Sequence, residues 1–127
     1  MKKRGLIGFC AVLIAGLLAF GIHEYSEKQL RSEQKFDMTI WNPPEKLSFT
    51  EIAKRRYPMT EDLMQKLRQE KTGRDEVIQM LGKPARGDAN LATQDYVVGL
   101  FALGTYYMRI HYGVDKRVEK VSLHWEE

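Results

Sequence analysis

The sequence predicts an α+β protein with an N-terminal transmembrane helix, followed by two to three short helices packed on a three-stranded antiparallel sheet. An uncharged apolar stretch, residues 5–22, follows three basic residues, and capped amphipathic segments occupy the middle of the chain. Residues 96–125 then change to strand-like alternation. We therefore expect an anchor or signal segment over 1–22, a juxtamembrane helix and Pro-containing linker over 23–47, and one small α+β domain over 48–127.

The apolar stretch has the length of a membrane span. As a helix, residues 5–22 would extend about 27 Å, close to the roughly 30 Å of a bilayer core. The cluster Lys2-Lys3-Arg4 should stay cytoplasmic, which places the C-terminal domain in the periplasm beside a bacterial inner membrane. An uncleaved anchor is the favoured interpretation, and the polar run 22–35 would continue it as a stalk. Because Ala19-Phe20-Gly21 suits a signal peptidase, a cleaved signal peptide is the alternative.

Small residues recur at four-residue spacing in this segment, at Ala11, Ala15 and Ala19. Two anchors could approach closely there, so a homodimer through the anchor is one interpretation, and ordinary lipid-facing residues are the other. The single cysteine, Cys10, also lies in the segment, which leaves the rest of the chain without a thiol for a disulfide, a Cys-based zinc site or a nucleophile.

The distribution of charge argues against nucleic-acid binding. The chain carries 20 Lys and Arg residues against 17 Asp and Glu, a net charge of +3. The three basic residues ahead of the apolar stretch account for all of it, so residues 22–127 are formally neutral. A phosphate backbone normally requires a basic stripe or face, and no such excess exists here.

Local signals predict the elements of the C-terminal domain. Three short helices should begin at capping residues, namely Ser48, Thr60 and Thr72. Gly82, followed by Pro84, ends the third. The strands are expected over 96–103, 106–112 and 118–125 in meander order, with Ile110 opposite Val121.

The run from Thr72 to Pro84, with a loop and three strands after it, resembles the SmpA/OmlA or BamE-like domain of small outer-membrane-assembly lipoproteins. The resemblance covers about residues 60–125, and its sharpest element runs from Asp75-Glu76-Val77 to Leu81-Gly82-Lys83-Pro84. It implies a capped helix before an antiparallel sheet and a role in the cell envelope. The chain departs from the family in having Lys71-Thr72-Gly73 before the helix and no Cys for lipidation after the signal. Small secreted inhibitor proteins share this architecture.

No catalytic, cofactor or metal constellation is expected. His111 and His124 share the polar sheet face, but the register above places them opposite Lys120 and Tyr107. A register shifted by two residues would bring the histidines diagonal, and this is the one metal-site alternative. The Arg86-Gly87-Asp88 triplet is interpreted as a turn.

One strand is a candidate for partner binding. Residues 96–103 carry apolar side chains on both faces of the predicted strand, although this strand lies at the edge of the sheet. We expect Val98 and Leu100 on one face and Val97 and Phe101 on the other. Alternatively, the linker around Ile40-Trp41 or the first helix covers the second face. The candidate partner-binding residues are Tyr96, Val97, Val98, Phe101, Tyr107, Arg109 and His111.

The expected function is non-catalytic: a membrane-anchored periplasmic binding or scaffold module that supports a cell-envelope complex by contacting its protein partners. The alternative is a periplasmic inhibitor or immunity protein that blocks a toxin or hydrolase. A metal-dependent enzyme is a third possibility and would require bound zinc.

Overall fold

The computed structural model describes residues 2–87 and 92–127, with side chains described from residue 14 onward. The chain divides into two compact units, one ending at Leu30 and the other running from Arg31 to Glu127. Asp88 of the predicted Arg86-Gly87-Asp88 turn lies outside the described residues.

The first unit is one continuous helix, α1 (Lys2–Leu30). The helix does not stop at residue 22 but continues through the polar residues that follow it. Several of its apolar side chains are exposed, among them Leu17 at 73 % and Phe20 at 66 %. Within the described residues, no helix combines the length and apolarity needed to cross a membrane. The predicted transmembrane segment includes residues 5–13, whose side chains lie outside the described part.

The second unit begins with helices. These are α2 (Met38–Trp41), α3 (Phe49–Arg56), a 3₁₀ helix (Tyr57–Met59), α4 (Thr60–Glu70) and α5 (Arg74–Leu81). The three helices expected from the sequence are confirmed as α3, α4 and α5, whereas α2 is an additional turn of helix inside the predicted linker.

Only one of the three predicted caps forms. The Ser48 hydroxyl accepts a hydrogen bond from the Glu51 backbone N–H at 3.2 Å and caps α3. The prediction of a side-chain cap was wrong at Thr60, because the 3₁₀ helix runs directly into α4 and the Thr60 hydroxyl donates to the Arg56 carbonyl at 3.0 Å. It was also wrong at Thr72, since α5 begins after Gly73 without a side-chain cap.

The sheet is a three-stranded antiparallel meander, as predicted, in the order β1 (Thr93–Phe101), β2 (Gly104–Tyr112) and β3 (Val118–Glu126). The bounds differ from those expected, since β1 begins at Thr93 instead of Tyr96 and β2 at Gly104 instead of Tyr106. The predicted register of the second hairpin is also confirmed, because Ile110 faces Val121.

A bulge in β1 changes which side chains share a face. Val97 faces Tyr107, but the next paired residue is Gly99, which faces Tyr106, so Val98 is the extra residue. The strict alternation expected after Val97 was therefore wrong. The ring of Phe101 turns to the face that carries Tyr106, with ring centroids 5.6 Å apart.

One face of the sheet, called the inner face, packs against the helices. Its central residues Met108 and Ile110 are fully buried, as are Leu63 and Leu67 of α4 and Leu81 of α5. Burial of each such side chain contributes about 1.5–3 kcal/mol relative to leaving it in water.

The edge of β1 is covered in part, since the first predicted helix contacts it, whereas Leu100 and Phe101 remain 38 % and 41 % exposed. The half-buried Arg56, the last residue of α3, donates to the Val97 carbonyl at 3.2 Å, and its guanidinium lies 4.4 Å from the centre of the Trp41 ring. Trp41 is fully buried and donates from Nε1 to the Leu81 carbonyl at 3.1 Å. Loss of hydration lowers the pKa of Arg56 to about 10, an effect that the electrostatic interaction with Tyr96 opposes, and the guanidinium stays charged at neutral pH.

Replacing Arg56 tests this contact. Arg56→Ala removes the cation from the Trp41 ring and leaves the Val97 and Trp41 carbonyls without this donor. We expect the free energy of unfolding to fall by about 2–3 kcal/mol, measured by urea denaturation. The matched control is Arg55→Ala, whose partner Glu45 lies at 3.9 Å on the surface and which should change stability by less than about 0.5 kcal/mol. Equal losses in the two variants would contradict the role assigned to Arg56.

Candidate functional site

The face of the sheet opposite the helices, called the outer face, is the candidate functional site. Alternation along β2 places Tyr107, Arg109 and His111 there, between the buried residues of the inner face. These three side chains are half-buried rather than covered. Lys120, Ser122 and His124 of β3 continue the surface because they pair with His111, Arg109 and Tyr107.

Arg86 crosses one end of this surface. Its guanidinium contacts Asp95 at 2.8 Å and Glu126 at 2.6 Å, and it lies 4.0 Å from the centre of the Tyr107 ring. The backbone also joins Arg86 to β1, since the Asp95 N–H donates to the Arg86 carbonyl at 3.0 Å. The loop after α5 is thereby fixed to the sheet. No local pattern indicates this role, because Arg86 stands in a segment interpreted only as a turn.

Asp95 lies between two arginines. Arg109 contacts it in a bidentate arrangement, with Nε at 2.9 Å from Oδ1 and Nη2 at 3.0 Å from Oδ2, and Arg86 Nη2 also lies 2.8 Å from Oδ2. Burial of Asp95 raises its pKa, but hydrogen bonds and charge from Arg109 and Arg86 outweigh that effect and hold the pKa below its ordinary value. Asp95 therefore stays ionised at neutral pH and fixes both arginine side chains.

The two histidines of the outer face have separate partners. His111 Nδ1 lies 3.4 Å from the Thr93 hydroxyl, and His124 Nε2 lies 3.3 Å from Glu126 Oε1. Because Ile110 faces Val121, the shifted register that would place the histidines diagonal does not form. Among the residues that the structure describes, no group of three or more His, Cys, Asp and Glu side chains is placed to hold a metal ion.

The residues predicted to bind a partner do not form one surface. Tyr96, Val97 and Val98 are buried, at 0 %, 3 % and 0 % exposure, so their side chains are occupied within the domain. Tyr107, Arg109 and His111 lie together and accessible on the outer face, where Val97 pairs with Tyr107 but is buried.

The remaining predicted residue, Phe101, belongs to a separate aromatic cluster on the inner face, next to the turn between β1 and β2. Its ring centroid is 5.4 Å from that of Tyr57 and 6.1 Å from that of Trp125. It is 41 % exposed, and Leu103 in the adjacent turn is 81 % exposed. The bulge in β1 separates this cluster from the outer face.

The outer face and the helices behind it define a small α+β domain with an arginine-centred polar surface. Comparisons of the chain with protein-family models, with curated proteins and with solved structures find no match. The proposed function therefore rests on the chemistry of this surface.

The ion pairs of Asp95 predict a pH dependence of stability. A carboxylate whose pKa is depressed in the folded state contributes stability above its unfolded pKa, ordinarily 3.8, and loses that contribution as the pH falls further. At pH 7, Asp95→Asn should lower the free energy of unfolding by about 2 kcal/mol, since both arginines lose a charged partner. Urea unfolding from pH 7 to pH 3 measures this, and the variant should lose less stability across that range than the unsubstituted chain.

The control for Asp95→Asn is Glu70→Gln at the exposed end of α4. This substitution removes a surface carboxylate and changes the formal charge by the same amount as Asp95→Asn does. Its stability profile should follow the unsubstituted chain. If the Asp95→Asn and Glu70→Gln profiles coincide, the assigned role of the Asp95 ion pairs is wrong.

Proposed function

We propose that this chain is a non-catalytic binding module that is anchored in the bacterial inner membrane and supports a cell-envelope complex from the periplasmic side. The outer face is the observation that carries the proposal. Helices α2, α4 and α5 contribute to the core behind the inner face, whereas Tyr107, Arg109 and His111 are left accessible. Tyrosine and arginine are the residue types enriched at the energetic centres of protein interfaces.

The geometry of the outer face favours binding because its arginines are already held in place. Asp95 fixes Arg109 through two hydrogen bonds, and Arg86 is held by Asp95, Glu126 and the ring of Tyr107. A partner that docks on these side chains would have little rotamer entropy to remove. This supports a recognition surface in which specificity comes from fixed charges around one aromatic side chain.

The proposed anchor is the segment 1–22, retained as a single span. Its basic end, Lys2-Lys3-Arg4, would remain in the cytoplasm, and the described apolar side chains of α1 are exposed, as lipid contact requires. Anchoring would confine the search for a partner to the membrane surface and raise the effective concentration, so that a small interface suffices.

The suggested link to the envelope comes from the BamE-like resemblance. Helix α5 ends at Gly82, Pro84 follows, and the next elements are the three strands of the meander. This is the order of elements that the resemblance implies, and it supports an envelope role without defining the partner.

The orientation of the anchor is tested with fusions after Glu127. Alkaline phosphatase matures only in an oxidising compartment, so its fusion should be active, whereas a green fluorescent protein fusion should stay dark. Replacing the three basic residues, as K2E/K3E/R4E, should lower the phosphatase signal because the cytoplasmic retention signal is lost. A fluorescent fusion without phosphatase activity in the unsubstituted chain would contradict the periplasmic assignment.

The partner surface is tested by placing a photoreactive residue at His111 in the full chain and cross-linking intact cells. We expect adducts with envelope proteins, and Tyr107→Ala or Arg109→Ala should reduce the adduct yield about tenfold, as loss of an interface centre does. Circular dichroism checks that both variants remain folded. The matched control position is Gln69, which is exposed on α4.

Two outcomes would count against this function. If the adduct yields at Gln69 and His111 are equal, the outer face is not the binding site. A single soluble toxin or hydrolase cross-linked in place of envelope proteins would favour the inhibitor or immunity alternative.

A further inference from the structure

The outer edge of β3 is an unpaired strand edge. β3 pairs with β2 on one side, and only its start is tied elsewhere, where the Val118 N–H donates to the Thr72 carbonyl at 2.9 Å. Over residues 2–87 and 92–127, no backbone group of 119–126 forms a hydrogen bond beyond β2. The opposite edge differs, since Arg56 caps the Val97 carbonyl of β1. Residues 118–126 contain no proline or glycine, so this edge can accept another strand.

We propose that β3 pairs antiparallel with β3 of a second copy of this chain. The two copies would be related by a two-fold axis perpendicular to the sheet at Leu123, forming one six-stranded sheet with the inner faces of both copies on the same side. Such an isologous contact closes after two copies. The proposal does not depend on the proposed function, because it concerns the sheet edge and not the outer-face partner.

The charges along β3 select this register. With Leu123 on the axis, Lys120 of each copy faces Glu126 of the other on the outer side of the sheet. Lys120 is exposed and the Glu126 side chain is 39 % exposed, so both can reach across the edge. Opposite charges placed directly across antiparallel strands are stabilising, and the symmetry supplies this pair twice.

The contact that Glu126 makes within its own chain is compatible with this pair. Arg86 binds Oε2 and His124 lies near Oε1, each with one hydrogen bond, and a carboxylate has about four acceptor positions. A lysine ammonium of the second copy would occupy one of the remaining positions.

Neighbouring registers that keep both outer faces on one side are less favourable. With Ser122 on the axis, Lys120 would face His124, and with His124 on the axis, Ser122 would face Glu126. Within β3, neither register places opposite formal charges across from each other. From Lys120 to Glu126 the sequence is complementary to itself in the Leu123 register, and Glu119 would face Glu127 just beyond the paired segment.

Apolar side chains support the same register on the inner side. Leu123 would face its counterpart, and Val121 would face Trp125 of the second copy. Leu123 and Trp125 are only half-buried in a single chain, so pairing would remove apolar surface from water. An unrelated strand would have to supply the same acid, base and apolar positions, whereas a second β3 supplies all of them.

Charge reversal tests the pairing in the full chain. The dissociation constant of the dimer is measured by sedimentation equilibrium in detergent micelles. Lys120→Glu and Glu126→Lys each place like charges opposite one another twice, and each should raise the constant about tenfold. The double variant K120E/E126K restores opposite charges and should return it to within about threefold of the original value.

A matched control uses the same charge changes on α4. Lys66 and Glu70 are exposed and four residues apart on that helix. The variants K66E, E70K and K66E/E70K should leave the dissociation constant unchanged. If the dimer were held through Ala11, Ala15 and Ala19 of the anchor, neither set of variants would change its dissociation constant.

Cross-linking determines the register independently. In a Cys10→Ser background, Leu123→Cys should join two copies through a short thiol-specific cross-linker, because the two positions face each other at the axis. Ser122→Cys faces His124 and should give less product. The proposal would be overturned if the chain is monomeric at all concentrations, or if neither Lys120→Glu nor Glu126→Lys weakens the dimer. It would also be overturned if the double variant fails to restore pairing, or if cross-linking is stronger at Ser122 than at Leu123.

Discussion

The stacking of the Arg56 guanidinium on the Trp41 ring is the contact on which the arrangement of the second unit depends. Trp41 belongs to the segment before α3, Arg56 ends α3, and the carbonyl that Arg56 binds belongs to Val97 of β1. One cation thus holds a linker, a helix and a strand edge together. A half-buried charge is stable there because the ring face and the carbonyl oxygens replace part of its hydration.

This contact also determines which surfaces are left for other molecules. Because Arg56 binds a carbonyl at the edge of β1 and helices pack on the inner face, the contacts proposed above use the outer face and the edge of β3. The outer face has fixed charges around Tyr107, where Arg86, Asp95 and Arg109 hold one another. The edge of β3 has a charge order complementary to itself. The two surfaces therefore differ in chemistry, as the two proposed contacts do, one with another protein and one with a second copy.

Much of the local structure could be predicted, whereas the composition of the candidate site could not. The helix stop at Gly82, the meander and the pairing of Ile110 with Val121 all follow from short-range signals. Tyr107, Arg109 and His111 were placed correctly on one face by alternation. Arg86 was missed because its partners lie 9 and 40 positions away in the chain, at Asp95 and Glu126.

By itself, the sequence determined the class of fold, the order of its elements and the polar character of one sheet face. These properties depend on the periodicity and capping of neighbouring residues, which act over a few positions. Only the tertiary structure decided that Val97 is buried, that Phe101 lies on the inner side, and that Arg86 joins the outer face. Each of these depends on a bulge or on a contact between distant segments, and such features arise from packing rather than from local pattern.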